Sequence, residues 1–238
     1  MDTEEQFLNK YNAKQFPAPL LSVDSVVFTV IDDALKILLL KRAKHPYKNQ
    51  WSLPGGFIDF EIDESTHDTA IRKIREKTNV ESPYLEQLYT FSAKNRDPRG
   101  WSATVTYFSL IAHQESHAIM ETVENTQWAN IEALKNFQPL AFDHQKIIDT
   151  ALERLRQKAL YSMLPVFCLK NEFTLSEYHH VMEIILHRTI QKKSLYRRFK
   201  ASGMFEETGK TIATGAREAM LYRLKENVEL VNFERNLG

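Results

Sequence analysis

The sequence has little cysteine and no long apolar run. Of its 238 residues only Cys168 is a cysteine, so an internal disulfide framework is excluded and a reducing compartment is favoured. No uninterrupted apolar segment approaches the ~18 residues expected of a membrane-spanning helix. The first residues are too polar for a secretory signal peptide. Internal repeats and low-complexity segments are also lacking. These absences predict a cytoplasmic protein without a membrane span.

An excess of charge of one sign is also absent from the whole chain, because 31 Lys and Arg balance 31 Asp and Glu. The apolar content of 43% and the charged content of 26% are ordinary for a globular protein, and the length allows one large or two small domains. The balance is uneven along the chain. Residues 161–238 contain 12 basic and 9 acidic residues, and residues 184–205 contain six basic side chains and no acidic one.

Residues 51–80 read WSLPGGFIDFEIDESTHDTAIRKIREKTNV. This stretch resembles a Nudix box, the loop–helix–loop that holds magnesium against a diphosphate. Gly56, Glu64 and Arg72 keep the order of that motif, but Lys73 and Lys77 occupy two of its three helix carboxylate positions. Magnesium takes oxygen ligands, and a lysine ammonium offers no acceptor. The pattern therefore predicts a diphosphate pocket that binds no metal and catalyses no hydrolysis.

The spacing inside this motif also departs from the family. Seven residues separate Gly56 from Glu64 where five are expected, and Glu61 stands near the usual glutamate position but one residue out of register. An ordinary charged helix, in which Arg72 pairs with Glu76, is the alternative interpretation of the segment. The preceding WSLPGGF favours the nucleotide pocket over that alternative.

Strand and helix patterns surround this box. Apolar strands are predicted in residues 25–31 and 36–42 around a turn at Asp32 and Asp33, and in residues 84–93 and 101–112 around the loop NRDPRG. Apolar residues at helical spacing from Ile147 to Leu160 predict a helix that closes a first domain or bridges to a second. Residues 1–17 are predicted to form a polar arm or a short helix. The fold class is therefore α/β.

The last third of the chain has the pattern of a winged helix-turn-helix. Thr174 and Glu177 form a capping box before a helix with one apolar face. A second helix, KKSLYRRFKAS, turns Leu195 and Phe199 inward and ends at Gly203. A β-ribbon is expected to follow. A helix-turn-helix places its second helix in the major groove of DNA, so the basic residues of this helix predict DNA binding. A basic helix that only faces solvent is the alternative.

The two halves together resemble the Nudix-related transcriptional regulators of NAD metabolism, the NrtR family. The matching segments are LLLKRAKHPYKNQWSLPGGFID, RDPRGW at 96–101, LAFDH at 140–144 and AREAMLYRL at 216–224, although Glu218 and Ala219 stand where a proline is expected. The resemblance implies a mixed sheet sandwiched by helices and then a winged helix. It also implies a homodimeric repressor of NAD biosynthesis or salvage genes that releases operator DNA on binding ADP-ribose, with no cofactor required. Its expected divisions are an arm (1–17), a ligand-sensing domain (18–155) and a DNA-binding domain (156–238).

The chemistry of ADP-ribose and of DNA indicates which residues are candidates for binding each of them. Arginine grips phosphate oxygens bidentately, lysine acts as a point charge, and glycine lets the backbone approach closely. Aromatic side chains could line the adenine or the ribose, with core packing as the alternative for each. The candidate ligand-binding residues are Arg42 (or Lys41), Trp51, Gly55, Gly56, Phe57, Arg72, Lys73, Glu76, Lys77, Asp97, Arg99 and Tyr107. The candidate DNA-binding residues are Thr174, Lys192, Lys193, Ser194, Arg197, Arg198, Lys200 and Lys210.

Two other functions stay open at this point. An ADP-ribose pyrophosphatase with an appended interaction domain would bind residual metal through Glu61, Glu64 and Glu76. An RNA-binding Nudix protein would need aromatic stacking platforms on its basic surface, where only Tyr196 and Phe199 lie. Asp97 could bond a ribose hydroxyl or only start a turn, and His144 is expected to be structural rather than catalytic.

Overall fold

A mixed seven-stranded sheet forms the first part of the molecule. The structure is a computed structural model that describes residues 3–78, 82–112, 126–136, 139–214 and 217–233. The strand order is β3-β2-β1-β6-β5, with β4 on β1 and β7 on β2, and only the β1–β6 pair among the registered pairs of this sheet is parallel. The strands are β1 (Leu20–Ile31), β2 (Ala34–Lys41), β3 (Trp51–Ser52), β4 (Gly55–Phe57), β5 (Tyr84–Ala93), β6 (Ser102–Leu110) and β7 (Thr126–Asn130).

Helices cover both faces of this sheet, as expected. β1 is buried on both faces because it is central and mostly apolar. One face, which includes Val27, packs against Ile74 of helix α2 (Thr66–Thr78). The opposite face, which includes Phe28, packs against Ile147 of helix α3 (His144–Ala159). The predicted strands and the predicted sandwich are therefore confirmed. The N-terminal arm contains a short helix, α1 (Glu4–Lys10), without a buried residue.

Helix α3 connects the two parts of the molecule. The predicted helical spacing is confirmed, since Ile147, Ile148, Ala151, Leu155 and Ala159 are all buried. The helix runs without a break through the expected domain boundary at residues 155 and 156. One apolar core continues from the sheet past α3 into the C-terminal part. Among the residues that the structure describes, no helix is long and apolar enough to cross a bilayer.

The C-terminal part is the predicted winged helix. The capping box of Thr174 and Glu177 is present and begins α4, while Leu195 and Phe199 of α5 are buried as expected. Gly203, with φ +65°, follows the end of α5. A left-handed conformation here favours glycine. A three-stranded sheet in the order β8-β10-β9 completes the wing. The elements are β8 (Phe173–Thr174), α4 (Leu175–Leu186), α5 (Lys192–Ala201), β9 (Phe205–Thr214) and β10 (Arg217–Leu224).

Candidate ligand pocket and nucleic-acid interface

A cavity of about 470 Å³ opens between the ends of β1 and β2, the β4 strand, the loop 94–101 and the start of α3. Six of the charged side chains that line it are cationic, and two are carboxylates. Such a surplus of positive charge suits a ligand that carries phosphate groups. The charged residues that line the cavity are Lys41, Arg42, Lys44, Lys77, Arg96, Arg99, Asp24 and Asp97.

Seven of the twelve candidate ligand-binding residues line this cavity, and five do not. The lining residues are Arg42, Gly55, Gly56, Phe57, Lys77, Asp97 and Arg99. Those that stand elsewhere are Trp51, Arg72, Lys73, Glu76 and Tyr107. Sequence reasoning did not select Asp24, Lys44, Arg96 or Phe142, which also line it. Lys41 was considered only as an alternative to Arg42, and His144 only as a structural residue.

Gly55 is required for the close approach of β4 to β1. A Cβ atom at this position would lie 2.1 Å from Asp24 Oδ1 and 2.5 Å from the carbonyl oxygen of Val23. Both contacts are too short for a side chain. The glycine therefore lets the floor of the cavity pack directly against the Asp24 carboxylate.

Arg72 binds protein carboxylates and does not face the cavity. Its Nε and Nη2 donate to Asp63 at 2.7 and 2.5 Å, and its Nη1 donates to Glu76 at 2.9 Å. The hydrogen bond from Arg72 holds the pKa of Asp63 well below its usual range. The expectation that Arg72 contacts ligand phosphate is thus not supported by its position, because its donors are already engaged. Asp63, which sequence reasoning missed, anchors the loop between β4 and α2.

Lys73 and Glu76 form a second ion pair on α2. Lys73 Nζ lies 2.8 Å from Glu76 Oε2, so this carboxylate binds two cations, Lys73 and Arg72. Burial raises the pKa of Glu76, but the hydrogen bonds from both cations outweigh burial and lower it. Lys77 is the basic residue of α2 that reaches the cavity. Lys73 and Glu76, which were predicted to contact the ligand, do not line the cavity and form an ion pair with each other.

These side chains do not fit the magnesium ion of a Nudix box. A hard cation needs several free oxygen ligands, and the Glu76 carboxylate is occupied by Arg72 and Lys73. Among the described residues no group of three or more His, Cys, Asp or Glu side chains could hold a metal ion. Glu61 and Glu64, the other carboxylates of the alternative enzyme hypothesis, are exposed on the loop before α2.

Two aromatic residues predicted to contact the ligand, Trp51 and Tyr107, do not line the cavity. Tyr107 is 3% exposed and packs in a small core with Val23 and Ala70. Its hydroxyl lies 2.9 Å from Thr66 Oγ1, so its polar end is also satisfied inside the protein. Trp51 packs against the main core. Core packing, the alternative for both, is what the structure shows. Phe57 does line the cavity.

Asp97 and Arg99 form an ion pair at the cavity mouth. The Asp97 carboxylate accepts hydrogen bonds from Arg99 Nε at 3.0 Å, from Nη2 at 2.7 Å and from the Arg99 backbone N–H at 2.9 Å. Burial raises the pKa of Asp97, but the hydrogen bonds from Arg99 outweigh it and the pKa is lowered. The Asp97 carbonyl also accepts from the N–H of Gly100, so the turn is present too. Asp97 thereby holds Arg99 at the edge of the cavity.

Arg42 lines the cavity together with Arg96 and Arg99. Its Nε donates to the carbonyl oxygen of Pro46 at 2.8 Å, and its guanidinium carbon lies 4.7 Å from the centre of the Phe142 ring. Burial and the positive charge of Arg99 both lower the pKa of Arg42. An anion bound between the two arginines would relieve this repulsion, so the pair is suited to a phosphate group.

A buried polar network links the cavity to the start of α3. Arg96 donates to both oxygens of Asp143, from Nε at 3.1 Å and from Nη2 at 2.8 Å. His144 Nδ1 accepts the backbone N–H of Leu53 at 2.9 Å, and its Nε2 lies 3.8 Å from Asp24 Oδ1. Burial lowers the pKa of His144, which favours the neutral ring that this acceptor geometry requires. His144 is therefore structural, as expected.

The candidate nucleic-acid interface is the exposed face of α5. Lys192, Lys193, Ser194, Arg197 and Lys200 are exposed there. Lys210, on the wing, is exposed and pairs with Glu172 at 2.8 Å.

Two predicted DNA contacts lie elsewhere. Arg198 Nη1 donates to the carbonyl oxygen of Leu160, and its guanidinium covers the Phe233 ring, so this side chain points toward the domain junction. Thr174 is buried, and its hydroxyl accepts from the N–H of Glu177 in the cap of α4. Neither side chain lies with the exposed cations of α5.

Comparisons with known proteins identify both parts of the chain. A model described as the NUDIX domain matches residues 21–151, and one described as the NrtR DNA-binding winged helix domain matches residues 165–224. The chain is 41% identical over 236 residues to the ADPR responsive transcriptional repressor NtrR of Acinetobacter baylyi, covering 99% of this chain and 94% of that protein. It is 33% identical over 141 residues to an ADP-ribose pyrophosphatase of Methanocaldococcus jannaschii, covering 59% of this chain and 76% of that enzyme.

A solved relative is similar across both parts. Shewanella oneidensis NrtR complexed with a 27mer DNA has a TM-score of 0.82 and 45% identity, covering 86% of this chain and 93% of that chain. Its NUDIX domain complexed with ADP ribose has a TM-score of 0.60 and 45% identity, covering 65% of this chain and 99% of that chain.

Proposed function

Because the chain belongs to the NrtR family of Nudix-related transcriptional regulators, we propose that it is an ADP-ribose-responsive repressor that binds operator DNA. The regulated genes are those of NAD biosynthesis or salvage, as the family resemblance implies. ADP-ribose binds in the Nudix cavity and loosens the hold on DNA. The Acinetobacter repressor and the two Shewanella complexes, one with DNA and one with ADP ribose, support this proposal.

The observation that carries the proposal is the position of α3. Its first residue, His144, lines the cavity. Just beyond its last turn, the carbonyl oxygen of Leu160 accepts a hydrogen bond from Arg198 of α5. One continuous helix thus contacts the ligand cavity at one end and the basic DNA-binding helix at the other. A ligand can change DNA affinity only if it favours one arrangement of these parts over another.

We expect the diphosphate of ADP-ribose to bind between the cations of the cavity. Arg42, Lys77 and Arg99 would bind its oxygens directly, with Lys77 as a point charge and the arginines as bidentate donors. Gly55 and Gly56 allow the backbone to approach, Phe57 offers an aromatic face, and Asp97 would accept from a ribose hydroxyl. These cations neutralise the ligand, so no metal and no other cofactor is required.

We expect operator DNA to bind the exposed face of α5. Basic side chains there contact phosphates, which gives affinity but little sequence preference. We expect the protein to act as a homodimer, with its two recognition helices about 34 Å apart to match one turn of DNA. Lys193 and Arg197 stand one helical turn apart on the exposed face and are the residues we expect to contribute most.

Catalysis is not part of the proposed function. The similarity to a pyrophosphatase covers 59% of this chain and keeps the hydrolase as the competing hypothesis. The pairing of Glu76 with Arg72 and Lys73 speaks against it, since this carboxylate, which the hydrolase would need for magnesium, is already bound to two cations. Incubation of ADP-ribose with the protein and magnesium should release no ribose 5-phosphate. Turnover faster than about 1 per second, the low end for typical enzymes, would favour the hydrolase instead.

The DNA-binding part of the proposal can be tested with a random duplex library, which requires no defined operator. In vitro selection from that library should recover one enriched sequence, and electrophoretic shift of the selected duplex should weaken with ADP-ribose. A mixture of AMP and ribose 5-phosphate, which lacks the diphosphate, is the matched control and should have no effect. Failure to enrich any sequence would contradict the proposed function.

A further inference from the structure

Phe142 lies at the turn that leads into α3 and has a left-handed backbone conformation, with φ +56°. This conformation is a genuine outlier for a bulky residue, and it persists only where surrounding contacts maintain it. Those contacts come from two arginines of the cavity and from Tyr47. The centre of the ring lies 4.7 Å from the guanidinium of Arg42, 6.0 Å from that of Arg99 and 4.8 Å from the ring of Tyr47.

The ring and a bound diphosphate would share the same two arginines. Arg42 and Arg99 both line the cavity, and their guanidinium groups are the donors that phosphate oxygens need. A charge-assisted hydrogen bond to phosphate is stronger than a cation–π contact with a phenyl ring. A bound diphosphate would therefore draw the guanidinium groups away from Phe142.

The residues after Phe142 tie the same turn to α3. Asp143 accepts two hydrogen bonds from Arg96, and His144 accepts the N–H of Leu53, so the helix begins on the cavity wall. Its 16 residues span about 24 Å. The buried face of α3 is closely packed in the core, and a closely packed interior transmits strain because it compresses little. Arg198 then joins Leu160, just past its other end, to α5.

We propose that Phe142 transmits occupancy of the cavity to the DNA-binding helix, because ligand phosphates compete with its ring for Arg42 and Arg99. Loss of these two cations releases the strained turn and changes the position of α3. This inference rests on the proposed function, since it takes ADP-ribose as the ligand and release of DNA as the response. Phe142 is a positioning residue that acts through α3.

The test measures a coupling factor, defined as the ratio of operator Kd values with and without saturating ADP-ribose. Typical coupling factors are about 5 to 150. The Phe142→Leu substitution removes the ring but keeps an apolar side chain. For this variant we expect a coupling factor below about three, which is less than the typical range. We also expect tighter ADP-ribose binding in calorimetry, because no ring competes for the arginines. Phe142→Tyr keeps the ring and should restore both values.

Two further variants keep the test decisive. Phe142→Gly also lacks the ring and accepts the left-handed conformation, so it replaces the leucine variant if that one does not fold. Phe91→Leu is the matched control, because the Phe91 ring contacts Lys146 of α3 at 5.7 Å but does not line the cavity. It should keep the wild-type coupling factor.

Specific results would overturn the inference. Wild-type coupling in both ring-free variants would show that Phe142 transmits nothing. A tenfold loss of ADP-ribose affinity in both would show that the ring contacts the ligand and does not compete with it. If the operator affinity of the wild-type protein did not change with ADP-ribose, the proposed function itself would be contradicted. This outcome is measured on the wild type alone, so it is distinct from a failure of the Phe142 inference.

Discussion

Replacing Lys193 or Arg197 with alanine removes one exposed cation from α5. The helix presents four exposed basic side chains, Lys192, Lys193, Arg197 and Lys200. Each phosphate contact contributes about 0.9 to the slope of log affinity against log salt concentration. Four contacts from one protomer would give a slope of about −3.6, which is roughly a 150-fold loss over a fourfold rise in salt. A substitution changes both protomers of the proposed homodimer, so each single variant should lower the magnitude of the slope measured on the operator by about 1.8. The wild type should then lose about 12-fold more affinity than the variant over that range.

Fluorescence anisotropy of a labelled operator duplex at several salt concentrations measures this slope. Arg198→Ala is the matched control, since Arg198 is on the same helix and has the same charge but donates to Leu160 and covers Phe233. It should leave the salt slope unchanged and lower the melting temperature. Unchanged slopes for both Lys193→Ala and Arg197→Ala would refute the assignment of α5 as the DNA-binding helix.

Three other predictions concern the cavity and the start of α3. ADP-ribose should bind with the same calorimetric Kd in magnesium and in chelator, and a strict magnesium requirement would contradict the cationic site. Arg99→Ala should weaken ADP-ribose binding by roughly tenfold or more, as loss of a charge-assisted hydrogen bond does; unchanged affinity would place the phosphates elsewhere. The lowered pKa of His144 means that the unfolded chain binds the proton more readily. Its contribution to stability is therefore present above the unfolded value of about 6.5 and is lost as pH falls below it, by at most about 1.4 kcal/mol per pH unit. His144→Asn should flatten that dependence in urea unfolding, and an equally steep dependence in the variant would exclude His144 as its source.

Local patterns in the sequence predicted most of the fold. The capping box of Thr174 and Glu177 and the apolar spacing of α3 depend on residues within a few positions of each other, and both are present in the structure. Helix starts and amphipathic faces are local properties of this kind. The resemblance to the NrtR family, carried by short segments in a fixed order, is confirmed by the matches to both parts of the chain.

The candidate site was less predictable because its contacts join distant parts of the chain. Asp24 and Thr104 are 80 positions apart, and Arg96 and Asp143 are 47 apart. No local pattern indicates such pairs. Arg72 was assigned to the ligand because nothing in the sequence identified Asp63 as its partner. Asp63 reaches the arginine from the loop between β4 and α2.

The sequence also could not predict which way a helical side chain points where a distant segment of the chain determines it. Arg198 follows Arg197 directly, and both belong to the same basic run. Only the fold shows that Leu160 and Phe233 attract Arg198 to the domain junction. The strand pattern around Tyr107 is likewise compatible with a side chain in a pocket wall or in the core. In the structure Tyr107 packs against Val23 and Ala70 and belongs to the core.

The central claim is that ADP-ribose and operator DNA oppose each other on one protein molecule, and one pair of titrations tests it most directly. The operator Kd is measured by anisotropy with and without saturating ADP-ribose in chelator, and the ADP-ribose Kd is measured by calorimetry with and without saturating operator. Thermodynamic linkage requires both affinities to fall by the same factor. We predict equal factors of about five or more. An operator Kd that does not change with ADP-ribose would contradict the claim and leave a DNA-binding protein with a Nudix domain that does not sense this ligand.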